Sequence, residues 1–69
     1  MTKKQRNLLL SKLVAKGHKI KDLAGFLGMT TTNVYMKFEG INRFTLKDID
    51  KMRKMYDLSD EDVCAIFLS

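Results

Sequence analysis

Sixty-nine residues suffice for one small domain, near the lower limit at which a lone core suffices, and the single cysteine, Cys64, excludes an internal disulfide or a cysteine-rich metal site. With 45% hydrophobic residues and no proline the chain is expected to be globular and helical, and no apolar run approaches the ~18 residues of a membrane span. Net charge is +5, with nine bases against two acids in residues 1–43 and four against six in residues 44–69; that division suits a phosphate-facing surface with a solvated back, or simply an unevenly charged surface.

Five helices and no strand are expected. The first runs from about Lys4 to Lys16, with Leu9, Leu10 and Leu13 on one face, Val14 at its edge and Leu8 elsewhere. The positive charge ahead of its leucines does not make a secretory signal, because Ser11 and Lys12 interrupt the apolar run and no small-residue cleavage site follows. Gly17 stops this helix. The second covers about Ile20 to Leu27, with Ile20, Leu23, Ala24 and Leu27 inward. Gly28 ends it, since glycine takes the left-handed conformation at little cost. Met29 turns back to the core, and Thr30 caps a third helix over about Thr31 to Glu39 that buries Val34 and Phe38 and stops at Gly40. The fourth starts at a capping pair, Thr45 with Asp48, flanked by a Phe44–Ile49 staple, and buries Leu46, Ile49, Met52 and Tyr56. Helix five repeats the device with Ser59, Asp62 and a Leu58–Val63 staple, and turns Val63, Ile66 and Phe67 inward. Met29, Met52 and Met55 read as core or near-core filler, and Cys64 as buried. Nothing resembles a linker or a repeat, so residues 1–69 are expected to form a single domain.

Two short helices with a glycine in the sharp turn between them, over about residues 20–40, fit a helix-turn-helix. Burying Val34 and Phe38 turns Thr32, Met36 and Glu39 outward, with Asn33 and Tyr35 flanking and Thr31 in the first turn. Three successive threonines cost helix propensity, but each offers a hydroxyl and a methyl that suit base edges in a major groove. Thr30 serves as a cap, a contact, or both. Asn33 has three outlets: an adenine edge, a phosphate or its own backbone. For Tyr35 both phosphate and base are open, and Met36 suits apolar groove contact. Lys21 lies where helix two would cross a DNA backbone. Lys37 flanks helix three. Asn42 and Arg43 precede the N-terminus of helix four, which favours phosphate. Lys3, Lys4 and Arg6 could form a basic arm, or any of these lysines could be an ordinary solvated charge.

From Ile20 to Gly40 the chain resembles the helix-turn-helix of lambda-type phage repressors and Cro proteins, the superfamily of Xre-type bacterial regulators. The matching features are Leu23-Ala24, Gly28-Met29, Val34, Phe38 and Gly40. The continuation, with Phe44-Thr45 opening helix four and Ile66-Phe67 near the end, looks like the short phage-associated members, so the likeness covers about fifty of the 69 residues. The resemblance implies an all-α, compact five-helix lambda-repressor-like domain that binds double-stranded operator DNA, usually as a homodimer, and represses or switches phage transcription in a bacterial cytoplasm. Carried over, base contacts fall on Thr31, Thr32, Tyr35 and Met36, with Thr30 at the helix cap. Phosphate contacts fall on Lys21 and the Asn42-Arg43 loop; Thr30 and Asn33 join the phosphate set by their own chemistry. Two residues depart from the family pattern: Lys19 stands where a serine or threonine normally caps helix two, and Lys37 stands where many relatives place an apolar residue. The glutamines common at the start of the reading helix are absent, so no operator preference transfers.

Elsewhere the residues offer no nucleophile–base pair and no phosphate-cradling loop, so neither an enzyme nor a cofactor or small-molecule substrate is expected. His18 has no partner ligand in view, and Asp60, Glu61 and Asp62 complement the dipole of helix five rather than form a metal site. The alternative to a DNA reader is a protein-interaction module of the same fold, an anti-repressor or co-regulator, with Leu8, Leu68 and Met36 as its apolar contacts. Leu8 and Leu68 are equally the candidates for a dimer seam. A basic amphipathic element on a membrane is disfavoured by the dispersed charge and the separately capped segments.

Overall fold

The computed structural model describes Met1 through Leu68. Helices α1 (Lys3–Ala15), α2 (Ile20–Leu27), α3 (Thr31–Phe38), α4 (Leu46–Met55) and α5 (Asp60–Val63) succeed one another, and a π-helical segment, Cys64–Leu68, continues α5. No strand occurs among the described residues. The chain fills 27 × 25 × 21 Å.

Each helix start is secured by local chemistry. Thr2 Oγ1 accepts from the Gln5 amide at 3.1 Å, and Gln5 Oε1 accepts from the Thr2 amide at 2.7 Å. This reciprocal box starts α1 one residue before the expected Lys4, and it gives the buried Gln5 a partner. The expected boxes Thr45–Asp48 and Ser59–Asp62 both close, with all four bonds between 3.0 and 3.1 Å. At α2 the Lys19 side chain caps nothing; instead Asp22 accepts the Lys19 amide at 2.7 Å. One half of a box thus answers the missing hydroxyl.

Four helices end alike. The amide five residues beyond a last-turn carbonyl bonds back to it: His18 to Leu13, Met29 to Ala24, Ile41 to Met36 and Leu58 to Arg53, at 2.9–3.0 Å. A left-handed residue precedes the donor each time, glycine at positions 17, 28 and 40 but Asp57 (φ 52°) after α4. Aspartate tolerates that region better than most side chains, and Lys16 pairs with its carboxylate at 3.2 Å.

The core gathers Leu9 and Leu13 from α1, Leu23, Ala24 and Leu27 from α2, Val34 and Phe38 from α3, with Met52, Tyr56, Leu58 and Ile66 closing it. α2 packs on α3, and the π-helical segment packs on α1. Two expectations of burial fail. Leu46 is 84% exposed, while Val14, expected at the edge of the α1 face, is 72% exposed. Leu46 lies about 120° around the helix from Met52, too far to reach the same core. Cys64 is exposed as well, because α5 ends at Val63 and the wider π turn re-aims the next residues. Leu8, expected to point away, is half-buried against the core.

His18 Nδ1 lies 2.9 Å from the Tyr56 hydroxyl, with the rings edge to face at 5.5 Å, so the α1–α2 junction is tied to the end of α4. Burial, seconded by the charge of Asp22, pushes the Tyr56 phenol up from 10.0. The Asp62 carboxyl moves the other way: the Ser59 amide holds it below 3.8 against the opposing effect of desolvation, with the Ser59 hydroxyl and Lys12 assisting. A depressed carboxyl stabilises the fold above its unfolded pKa, and that contribution is lost as pH falls through the folded value. Asp62→Asn should therefore lower the thermal midpoint at neutral pH, and the gap to the parent should close as pH falls below 3.8 and the carboxyl is protonated in the folded state. Melting followed by circular dichroism across that range checks it; a gap that persists unchanged in acid contradicts the assignment.

Candidate nucleic-acid interface

The turn between α2 and α3 is made by Gly28, Met29 and Thr30. Gly28 adopts φ 71°, and no atom lies within 4 Å of the place a Cβ would occupy, so backbone conformation rather than space calls for glycine there. Met29 is half-buried against the core. Thr30 Oγ1 accepts from the Asn33 amide at 3.2 Å. Its hydroxyl hydrogen is left to donate elsewhere, so capping and an outward contact are compatible.

α3 is divided by its burial. Val34 is fully buried and Phe38 nearly so. Thr31, Thr32 and Asn33 are exposed, Tyr35 is 54% exposed, and Met36 is half-buried. Four of the five α3 positions predicted to touch nucleic acid therefore lie free on the surface, and Met36 stands at the margin. Of the remaining predicted positions, Lys21 in the first turn of α2, Thr30, Asn42 and Arg43 are all exposed. Thr30 and Lys21 are carried by the same helix pair as Thr31 and Thr32, while Asn42 and Arg43 belong to the segment that joins α3 to α4.

Aromatic contacts fix α3 to the C-terminal part of the chain. Tyr35 meets Phe38 edge to face at 6.2 Å, Phe38 meets Phe44 at 6.1 Å, and Phe44 meets Phe67 at 5.8 Å. The first ring of this row is the exposed Tyr35. Its orientation is thus set by a chain of rings that ends in the π-helical segment.

Ion pairs redraw the charge map. Asp48, Asp50, Asp57, Asp60 and Asp62 pair with Lys37, Lys54, Lys16, Arg53 and Lys12, at 2.7–4.0 Å. Five of the six acids of residues 44–69 are thereby answered within the fold. Among the described residues, Lys3, Lys4, Arg6, Lys19, Lys21, Arg43, Lys47 and Lys51 form no ion pair, against only Asp22, Glu39 and Glu61 on the acidic side. Individually the exposed pairs Lys16–Asp57, Arg53–Asp60 and Lys54–Asp50 contribute little stability. Together the five pairs leave the net surplus of +5 unchanged but concentrate it in cations that have few unpaired acids among them. Lys3, Lys4 and Arg6 belong to α1 itself rather than to a free arm, so they present fixed charges along a helix.

Sequence position puts Lys37 beside the site as one more cation. The structure gives it other partners, and spacing holds no signal for them, because they come from the loop and the helix on its C-terminal side. Leu46 is a second surprise of position: it is exposed and, with Leu68, whose exposure is expected, lines one surface groove with Phe44 and Phe67. Among the described residues no group of three or more His, Cys, Asp or Glu could hold a metal ion, and no helix is long and apolar enough to cross a membrane. No family model matches the sequence, and neither a curated protein nor a solved structure matches it.

Proposed function

We propose that the chain is a sequence-specific DNA-binding transcriptional regulator of the lambda-repressor and Cro type, in which α2 and α3 form a helix-turn-helix and α3 enters the major groove. The observation that carries this reading is the division of α3. Val34 and Phe38 are sunk in the core while Thr31, Thr32, Asn33 and Tyr35 stand exposed on a helix that local caps and aromatic packing hold in place. Thr31, Thr32, Tyr35 and Met36 meet base edges. Lys21, Thr30, Asn33, Asn42 and Arg43 meet phosphates, which position the protein without reading sequence. The surplus of unpaired cations supplies the long-range attraction.

A single eight-residue helix covers few base pairs, so two copies spaced ~34 Å apart on the duplex give both affinity and half-site spacing. Leu68, with Leu46 beside it in the same groove, is the seam; Leu8 is better placed as core support. The same exposed leucines favour the second reading, a module of this fold that docks on another regulator.

Salt separates the two. A duplex selected by the protein from a random-sequence pool should bind ~10³-fold more weakly at 200 mM than at 50 mM salt if about six phosphates are contacted, whereas an apolar protein contact should barely move. In the same assay Thr32→Ala should relax preference at one base position by ~1–3 kcal/mol. Equal weakening on every operator variant would remove α3 as the reader. Sedimentation at micromolar concentration should show a dimer at least on DNA; monomer alone, with and without the duplex, removes the pairing.

A further inference from the structure

Lys37 lies on α3, yet its side chain is only 13% exposed, which is unusual for a lysine. Its ammonium donates to the Arg43 carbonyl at 2.9 Å. It stands 4.0 Å from Asp48 Oδ2 and 5.7 Å from the centroid of the Phe44 ring. The same Asp48 oxygen accepts the Thr45 amide at 3.1 Å, closing the box that starts α4. One ammonium thus gathers a loop carbonyl, an aromatic face and the carboxylate at the head of the next helix. On the other side of the loop, the Ile41 and Asn42 amides both reach back to the Met36 carbonyl, at 3.0 and 3.4 Å.

We propose that Lys37 is a positioning residue: it latches the segment from Gly40 to Thr45 onto α3, so that Arg43 and Asn42 are held at a set distance from the threonine face. The proposal rests on the DNA-reading role given above and names how two parts of that surface are kept in register. Lys37 itself is not assigned a phosphate, because its ammonium donates to the Arg43 carbonyl and has the Asp48 carboxylate and the Phe44 ring beside it. A loop tied in this way loses little freedom when Arg43 meets a phosphate, and pre-ordering of that kind strengthens binding without adding a contact. A charged donor that is itself mostly buried makes one of the stronger hydrogen bonds of a fold, and the Phe44 face adds to it.

Trypsin reads the latch directly in the free protein, since the Arg43–Phe44 bond contains the carbonyl that Lys37 holds. In Lys37→Met, cleavage after Arg43 relative to cleavage after Lys54 in the same digest should rise about tenfold, the scale of one lost charged hydrogen bond. Lys37→Arg, which keeps charge and donors, should bring the ratio back toward the parent. General destabilisation would raise both cuts together. Should Lys37→Met not fold, Lys37→Gln, with a neutral donor, serves for the same comparison.

On the selected duplex, Lys37→Met should bind about tenfold more weakly with an unchanged dependence of log affinity on log salt, because no phosphate contact has gone. An unaltered cleavage ratio, a salt dependence reduced by one phosphate, or faster nicking with full affinity would each overturn the proposal. If the parent protein selects no duplex, the DNA reading falls by itself, and the cleavage ratio still decides whether Lys37 holds the loop.

Discussion

A helix of eight residues does not hold its shape alone in water, and α3 carries three β-branched residues in its first four besides. Its orientation is therefore borrowed from the side chains it buries. Val34 has no exposed surface and Phe38 almost none; turning α3 by one residue would lift both out of the core and drive threonine hydroxyls into it. That cost fixes which face looks outward. Every functional statement about α3 depends on this one constraint, and the left-handed Gly28 and the Thr30 cap serve it by delivering the chain to α3 at the right angle.

The charges obey a similar economy. A carboxylate left unpaired would add a negative charge to the surface, and the C-terminal part of this chain holds six of them. Folding answers five, largely with lysines and one arginine of α1, α3 and α4. Two of these acids, Asp48 and Asp62, also cap helices. The same group thus supports local structure and is withdrawn from the long-range field, and the cations left without partners lie at the start of α1, the start of α2, the α3–α4 loop and the outer side of α4.

Much of the fold was legible because it is written in short-range chemistry. Thr45 with Asp48 and Ser59 with Asp62 announce helix starts three residues apart, and glycines at 17, 28 and 40 announce stops; all of these are satisfied by atoms within one turn. The apolar spacing of Leu23, Ala24, Leu27, Val34 and Phe38 marks the inner faces of α2 and α3, and from it the outward threonines can be deduced. Legibility failed wherever an outcome depended on a distant neighbour. Asp57 is left-handed without being glycine, with Lys16 beside its carboxylate. Leu46 and Val14 are apolar yet have no wall to lie against. Cys64 stands in the open because a π turn, unmarked by any residue type, interrupts α5.

The amino-acid order by itself determined an all-helical chain, where each helix starts to within a residue, and which edge of α3 is oily and which is polar, since propensity, capping and periodicity act over one turn. Only the tertiary structure decided that Lys37 faces inward to the Arg43 carbonyl, that Asp57 and Asp62 are matched with lysines up to 50 residues away, and that Tyr35 is braced by a row of rings. Those depend on which helix lies beside which, and contacts between segments remote in the chain leave no local period to read.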